Sequence, residues 1–505
     1  MRRAAAIVLL GFCAGSARAQ SAGLGLVDAL RMTLARSPDI AVARDELEVS
    51  RGALEAARGA FDLTLTARLG QRRDDDPGIP ASAGQAAIAP STTYTTTWEV
   101  GASQLFRSGL RVEPRVQVSR LAGSQIDPPY GPARLVLGVT QPLLRGRGSD
   151  ATGAPEDAAA IAERAARLRV GQTVAERGLA VVLAYFTARE AWETVRILTG
   201  AEERAAQLLD EERRLVEARE RAPADLHQIR ASLEDARANR IDAERAYREA
   251  RQSLGLAMGL GWVEIDALPP PADALDLVTS ARAPVAADMA PLVALALERR
   301  LDLEASRADL EAEVVLARAA RRNLEPELDL LGEIGWGGQS VGGGAGPLVT
   351  SIGENVVGPS FFVGLALSYP PANRAARGAL RQEEARRHER EIAARDRTRT
   401  IAAGVALAAS VLETSLRSLA SAQAAVDDYT LAKDNELRKL HGNLSTDFDV
   451  LAIESRLTSA QLSAVRARGR VAQAIARLRF EAGVLVEPGA DLPTLEQLLS
   501  VPAPR

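Results

Sequence analysis

The feature that most constrains this 505-residue chain is that it says nearly everything twice. SPDIAVARDELEVSRGALEAARGAFDLTL (37–65) aligns without a gap with RLDLEASRADLEAEVVLARAARRNLEPEL (300–328). Asp39 meets Asp302, Leu47 meets Leu310, Ala56 meets Ala319, Arg58 meets Arg321 and Leu65 meets Leu328, an offset of 263 (302 − 39). Pro142 of TQPLLRG then meets Pro370 of SYPPANR at an offset of 228 (370 − 142). The stretch 224–259 finally meets 448–483 at an offset of 224 (449 − 225), pairing Asp225 with Asp449, Leu233 with Leu457, Ala250 with Ala474 and Gly259 with Gly483. Three matched blocks in one order predict an internal tandem duplication, each copy reading helix, strand region, proline, long helix, break, helix. The offset falls by 35 (263 − 228) between the first two blocks, so copy one carries about that many extra residues among its strands.

The first nineteen residues read as a secretory signal: Arg2 and Arg3, an apolar run from Ala4 to Gly15, and the small-x-small site Ala17-Arg18-Ala19. Cys13, the single cysteine, lies inside that segment, and bulky Phe12 before it argues against lipid attachment. An exported protein without disulfides must draw its stability from packing or oligomerisation. The 62 basic and 66 acidic residues are interleaved, which excludes the one-sided basic face of a nucleic-acid binder. Arg386-Arg387, beside Glu383, Glu384 and Glu389, reads as ion-paired helix surface. Outside the signal the uncharged runs of eighteen or more residues, 77–98, 334–353 and 355–373, are broken by Gly, Pro, Ser and Thr, so any membrane crossing is expected to be made of strands.

The strand regions alternate. In 63–69 (LTLTARL) the odd positions are apolar, and Leu328, Leu330, Ile334, Trp336 and then Phe361, Val363, Leu365, Leu367 repeat the pattern. A transmembrane strand needs about nine to eleven such residues, although a half-buried soluble sheet shows the same alternation. Tyr94, Trp98, Trp336 and Tyr369 are expected near the ends of these runs, as an interfacial girdle. The extra residues of copy one predict a hairpin: TYTTTWEVGASQLF, a turn at Arg107-Ser108-Gly109, then LRVEPRVQVSRL, with Pro114 marking an edge or bulged strand. Whether this hairpin joins the wall or projects from it is open at this level. Stretches 72–92 and 339–358 read as loops, and 342–346 lacks the Gly-Lys-Ser/Thr of a phosphate loop.

From Pro155 to about Arg219 the chain lacks proline and predicts a helix of about 95 Å. One apolar stripe runs through Ile161, Ala165, Leu168, Gln172, Ala175, Leu179, Val182 and Phe186. A second runs through Val174, Val181, Tyr185, Ala188, Trp192 and Val195, so this helix packs on two sides. Breaks at Ala222-Pro223-Ala224-Asp225 and His441-Gly442-Asn443 turn the chain into return helices, 225–258 and 447–482, which helices 26–59 and 290–323 extend. Four strands and four helical columns are too few to close a barrel, so several chains must contribute. Pro142 and Pro370 are the expected strand-to-helix corners.

This order of elements resembles the TolC family of outer-membrane efflux proteins over about residues 24–484, on the stretches ALRMTLARSPDIAVA, GAFDLTL, TQPLLRGRG, ADLHQIRASLEDA, LERRLDLEASRADLE, VGLALSYPPANRAARG and TDFDVLAIESRLTSAQ. The resemblance implies a mainly α fold with a transmembrane β part: long antiparallel helices forming a periplasmic tunnel, and strands shared in a homotrimeric outer-membrane β-barrel. It implies signal peptide 1–19, a first repeat 20–260 (strands about 61–142, long helices about 155–259) and a linker 261–288 in an equatorial belt. A second repeat 289–484 (strands about 326–370, long helices about 373–483) and a tail 485–505 complete the chain. The implied function is a passive exit duct of a tripartite efflux or type I secretion system, served by a periplasmic adaptor and an inner-membrane transporter, with no cofactor and no nucleic acid. Usually four strands come from each chain; two more would make eighteen in a trimer instead of twelve. Acidic residues at the start of the second return helix ring the family's periplasmic entrance. Asp449 matches one such position, Ala452 stands where a second acid is expected, and Asp447 and Glu454 are substitutes. Asp449 reads equally well as a first-turn acid, and Asp447 reads better as an N-cap or first-turn acid than as a gate residue.

Two other classes compete with the channel. An enzyme is disfavoured, because His227, His388 and His441 are the only histidines and none has metal-ligand spacing. A periplasmic coiled-coil adaptor or scaffold without a pore explains the helices, but not strands placed symmetrically in both repeats.

Overall fold

The computed structural model describes residues 23–79, 89–218, 225–274, 283–284, 288–342, 350, 353, 355–442, 444–486 and 492–502. The expected signal segment, the 222–224 break, most of the glycine run after Gly342, and Pro488 lie outside them.

Helices α1 (Leu26–Arg36) and α2 (Pro38–Arg58) lead into strands β1 (Thr64–Asp76), β2 (Ser91–Leu105), β3 (Arg111–Gly123) and β4 (Ile126–Pro142). A single turn α3 (Ser149–Thr152) precedes α4 (Ala154–Glu217), and α5 (Asp225–Ala257) and the short α6 (Trp262–Asp266) follow. The order then recurs as α7 (Met289–Arg299), α8 (Leu301–Arg322), β5 (Glu327–Val341), β6 (Val357–Ser368), α9 (Arg374–His441) and α10 (Asp447–Glu481), closed by α11 (Leu495–Leu498). The chain divides into two compact units that each draw on both halves. One holds residues up to Arg44, Arg169–Leu301 and from Thr398 onward; the other holds Asp45–Leu168 and Asp302–Arg397.

In the strand-bearing unit all six strands form one antiparallel sheet in chain order. The expectation of four strands is thus corrected to six, and the hairpin of copy one lies inside the sheet. Pro114 is correspondingly not at an edge. Its pairing with Leu137 of β4 is intact, whereas the ladder to β2 passes from Gly101↔Arg115 to Gln104↔Val112 without pairing Pro114. The missing proline N–H therefore falls on one side only. The expected loops are also shorter than 72–92 and 339–358, because β1 continues to Asp76 and β5 to Val341. β4 ends at Pro142. After β6, Asn373 donates its N–H to Pro370 O (3.0 Å) and α9 begins one residue later. Beside the sheet, α2 and α8 each pack near α4: Glu163 of α4 meets Arg51 of α2 at 3.4 Å, and Arg164 pairs with Glu311 of α8. Arg321 of α8 in turn meets Glu384 of α9 at 2.8 Å.

In the other unit the side-chain contacts run from α5 to α4, α4 to α10 and α10 to α9. Ala205 and Leu209 of α4 bury against Ile229 and Leu233 of α5, and Trp192 lies over Tyr247 with ring centroids 5.1 Å apart. Gln473 of α10 donates to Thr187 of α4 (3.1 Å), and Arg470 donates to Ser418 of α9 (3.2 Å). Both predicted stripes of α4 are buried here, Val182 and Phe186 on one and Val181, Tyr185 and Ala188 on the other. α9 contains one window apolar enough by length and composition to cross a membrane (mean hydropathy 1.2). Its Ile401, Val405 and Leu412 are buried within this unit, and a Cβ on Gly404 would meet Glu481 of α10 at 2.7 Å.

The two return helices end alike. Gly259 (φ +77°) and Gly483 (φ +74°) take the left-handed conformation that closes a helix C-terminus. A Cβ on Gly259 would lie 2.8 Å from Arg36 O, at the α1–α2 joint; one on Gly483 would lie 2.9 Å from Arg299 Cβ, at the α7–α8 joint. Each shorter helix pair is thereby set against the end of a return helix. Midway along α4, the buried Tyr185 hydroxyl lies 2.8 Å from both Leu24 O and Asp273 Oδ2 and accepts the Asp273 N–H (3.2 Å). Asp273 Oδ2 also accepts the Leu26 N–H (2.7 Å). Burial raises the Tyr185 pKa, so it acts here as a neutral phenol. Tyr185→Phe should remove the hydroxyl's donated bond, leave the Asp273 N–H without its acceptor and lower stability by about 1–3 kcal/mol, read as a lower urea midpoint at unchanged slope.

Candidate functional site

Two features qualify: the two-faced sheet and the α9–α10 tip. In the sheet, strand alternation and cross-strand register together decide which residues share a face. Ala67 opposes Val100, Val100 opposes Val116, Val116 opposes Leu135 and Leu135 opposes Trp336. One step toward the helices, Leu137 opposes Ile334 and Ile334 opposes Phe361. With Leu65, Leu69, Val363, Leu365 and Leu367, these form an apolar face crossing all six strands, and Leu65, Val363 and Leu367 are each at least 70% exposed. An exposed apolar area of that extent marks contact with lipid or another protein.

The opposite face is mostly polar and internally paired, with Val136, Leu331 and Phe362 set among its charged and hydroxyl side chains. Arg115 of β3 bridges Glu333 of β5 at 3.0 Å, and Arg68 of β1 approaches Glu99 of β2 at 3.9 Å. Ser103 donates to Glu113 (3.2 Å), and the hydroxyls of Thr97 and Ser119 lie 3.2 Å apart. Strands of 12 to 17 residues are long enough to cross a bilayer. β1 and β6 each have a neighbour on one side only, so both edges present open backbone groups. Tyr94 and Trp336 lie toward the loop end and Tyr369 just past β6 at the helix end, as the girdle expectation requires. Trp98 lies between Tyr94 and Trp336 in height: it opposes Val118, Val118 opposes Ala133 and Ala133 opposes Gly338, one step beyond Trp336 toward the loop end.

The sheet is tied to the first corner by side chains that sequence reasoning did not single out. Gly148 donates to Ser108 O (3.0 Å) in the β2–β3 turn, and Arg107 grips Glu156 of α4 at 2.7 and 2.9 Å. Arg58 reaches the same carboxylate at 3.3 Å, and Glu156 is held below its ordinary pKa chiefly by the Arg107 hydrogen bond.

At the tip, Thr446 rather than Asp447 is the N-cap of α10, because its hydroxyl accepts the Asp449 N–H (3.3 Å). Asp449 completes the capping box, accepting from the Thr446 N–H (3.1 Å) and hydroxyl (2.7 Å). The Ser445 hydroxyl donates to Glu436 and lies 3.4 Å from Asp449; Lys439 pairs with Glu436 at 2.9 Å. Asp447 follows the cap in the first turn. Glu454 lies apart from this group, 3.5 Å from Lys433 and 3.9 Å from Arg204. The tip therefore gathers Glu436 with Asp449. Glu436 is separated from Asp449 in sequence by the helix break, and only a Ser-Thr-x-x-Asp capping pattern hinted at the group.

Hydrogen bonds from the Thr446 hydroxyl and N–H hold the Asp449 carboxyl below its ordinary pKa. A depressed carboxylate stabilises the fold above the unfolded pKa and loses that effect as pH falls through the folded one. Protection factors of the first α10 turn should therefore fall as pH drops through the acidic carboxylate range, and Asp449→Asn should abolish that pH dependence.

Residues 292–484 match the family described as outer membrane efflux protein. No curated protein matches the chain. Among solved structures, the outer-membrane channel OprN superposes with a TM-score of 0.63 at 16% identity, covering 91% of this chain and 89% of its own. CmeC, the outer membrane channel of Campylobacter jejuni, superposes with 0.64 at 14% identity, covering 92% and 87%. VceC of Vibrio cholerae superposes with 0.64 at 15% identity, covering 91% and 96%. The resemblance to the TolC family read from the sequence holds: the chain has the fold of these outer-membrane channels, and its residues 292–484 match the outer membrane efflux protein family.

Proposed function

We propose that this chain is an outer-membrane channel, acting as a homotrimer and as the passive exit duct of a tripartite efflux or type I secretion system. A periplasmic adaptor and an inner-membrane transporter would meet its helical end and supply any energy. One observation carries this reading: an open antiparallel sheet with a continuous apolar face, a paired polar face and two unsatisfied edges. Lipid accepts strands only where every edge is paired, so such a sheet must close with others into a barrel. The apolar face then meets acyl chains and the polar face lines water.

The entrance is placed at the α9–α10 tip. Asp449, Asp447 and Glu454 from several copies converge on a common axis and attract cations. Asp449 is the most firmly positioned of the three, since the Thr446 N–H and hydroxyl both donate to its carboxylate. Glu454 contributes least, its charge being shared with Lys433 and Arg204.

In bilayers, Asp449→Asn should weaken cation block of the single-channel current, while Thr446→Ala, which loosens the cap but keeps the charge, should not. Equal loss in both variants would make Asp449 a capping residue only. In the sheet, Val363→Arg on the apolar face should cost about 2–4 kcal/mol at mid-bilayer and deplete heat-modifiable trimer from outer membranes. Gln117→Arg on the polar face should leave the trimer intact. A protein recovered wholly in the soluble fraction would instead be the adaptor or scaffold.

A further inference from the structure

We propose that the β2–β3 hairpin is a full part of the channel wall and widens the exit, so that the assembled barrel has eighteen strands, six from each of three copies. The inference rests on the trimeric reading above. The two halves of the chain contribute unequally, β1–β4 from the first and β5–β6 from the second. Two strands from each half would give twelve.

Three observations place the hairpin in the wall. β2 pairs with β1 continuously from Thr64↔Ser103 to Asp76↔Ser91, and β3 pairs with β4 from Arg111↔Thr140 to Val118↔Ala133. An outward-folded hairpin would break both ladders and leave their N–H and C=O groups unpaired. Both faces also continue across it without a change of character. Val100, Val116 and Val118 extend the apolar band, while Glu99, Gln117 and Ser119 extend the polar one. Finally, its helix-side turn is fastened, through Ser108 O to the Gly148 N–H and through Arg107 to Glu156. Six is also an even number, so β6 of one copy runs antiparallel to β1 of the next, and closure needs no parallel pair.

Strands about 4.8 Å apart and tilted about 40° give a backbone diameter of about 36 Å for eighteen strands and about 24 Å for twelve. Subtracting about 10 Å of side chains leaves bores of about 26 and 14 Å. The exit thus admits a hydrated solute nearly twice as wide as a twelve-stranded exit would.

Electron microscopy of the detergent-purified full chain, with particle mass measured in parallel, tests this directly. A trimer whose barrel measures about 36 Å in axial projection supports the proposal. A trimer with a barrel of about 24 Å and density outside it overturns the proposal and leaves the channel reading standing. A particle of another stoichiometry overturns both. In outer membranes, Gln117→Cys places a thiol on the polar face of a chain whose only other cysteine is Cys13. A maleimide polymer about 20 Å wide, between the two bores, should label this variant at a rate within tenfold of a small maleimide. Labelling by the small reagent alone overturns the wide exit.

Discussion

The open sheet is the constraint from which the rest of the reading follows. Six antiparallel strands leave one unpaired edge on β1 and one on β6, and the apolar residues gather mostly on one face. Neither property is stable in water or in lipid for an isolated chain, because bare backbone edges aggregate in water and cannot be satisfied in hydrocarbon. Among the described residues, Leu65, Val363 and Leu367 of the apolar face stay at least 70% exposed. Closure with further copies, as proposed, would satisfy edges and face together.

The helices follow a different logic. Each return helix stops at a left-handed glycine seated against the joint of a shorter helix pair, Gly259 at Arg36 and Gly483 at Arg299. These are the same two glycines that align in the repeats. Side chains are buried on both stripes of α4, as expected of a helix with a neighbour on each side. Tyr185, Asp273 and the backbone of Leu24 and Leu26 then bind the N-terminal segment to the middle of α4 with hydrogen bonds buried from water.

At the tip, one side chain serves two physical roles. Asp449 closes a capping box, which satisfies backbone donors at the start of α10, and the same hydrogen bonds keep it ionised. Capping and ionisation are therefore complementary: the interactions that fix the carboxylate in place also favour its charged form. Glu436 joins it through Ser445, from the far side of the helix break.

The sequence by itself determined the repeated helix–strand–helix order, the corners at Pro142 and Pro370 and the two faces of α4. These features rest on local patterns: alternation of two, stripes of seven, and proline's missing donor. It also marked the extra residues of copy one as a hairpin, although it read Pro114 as the sign of an edge or bulged strand, where the structure has an interior strand in unbroken register that leaves Pro114 unpaired toward β2. Only the tertiary structure decided that the hairpin belongs to the sheet, that Arg115 meets Glu333 across 218 positions, and that Glu436 lies with Asp449 while Glu454 is turned to Lys433 and Arg204. The reason is physical. Which strand neighbours which, and which charge finds which partner, are set by pairing between distant segments, and no local periodicity encodes a partner's position along the chain.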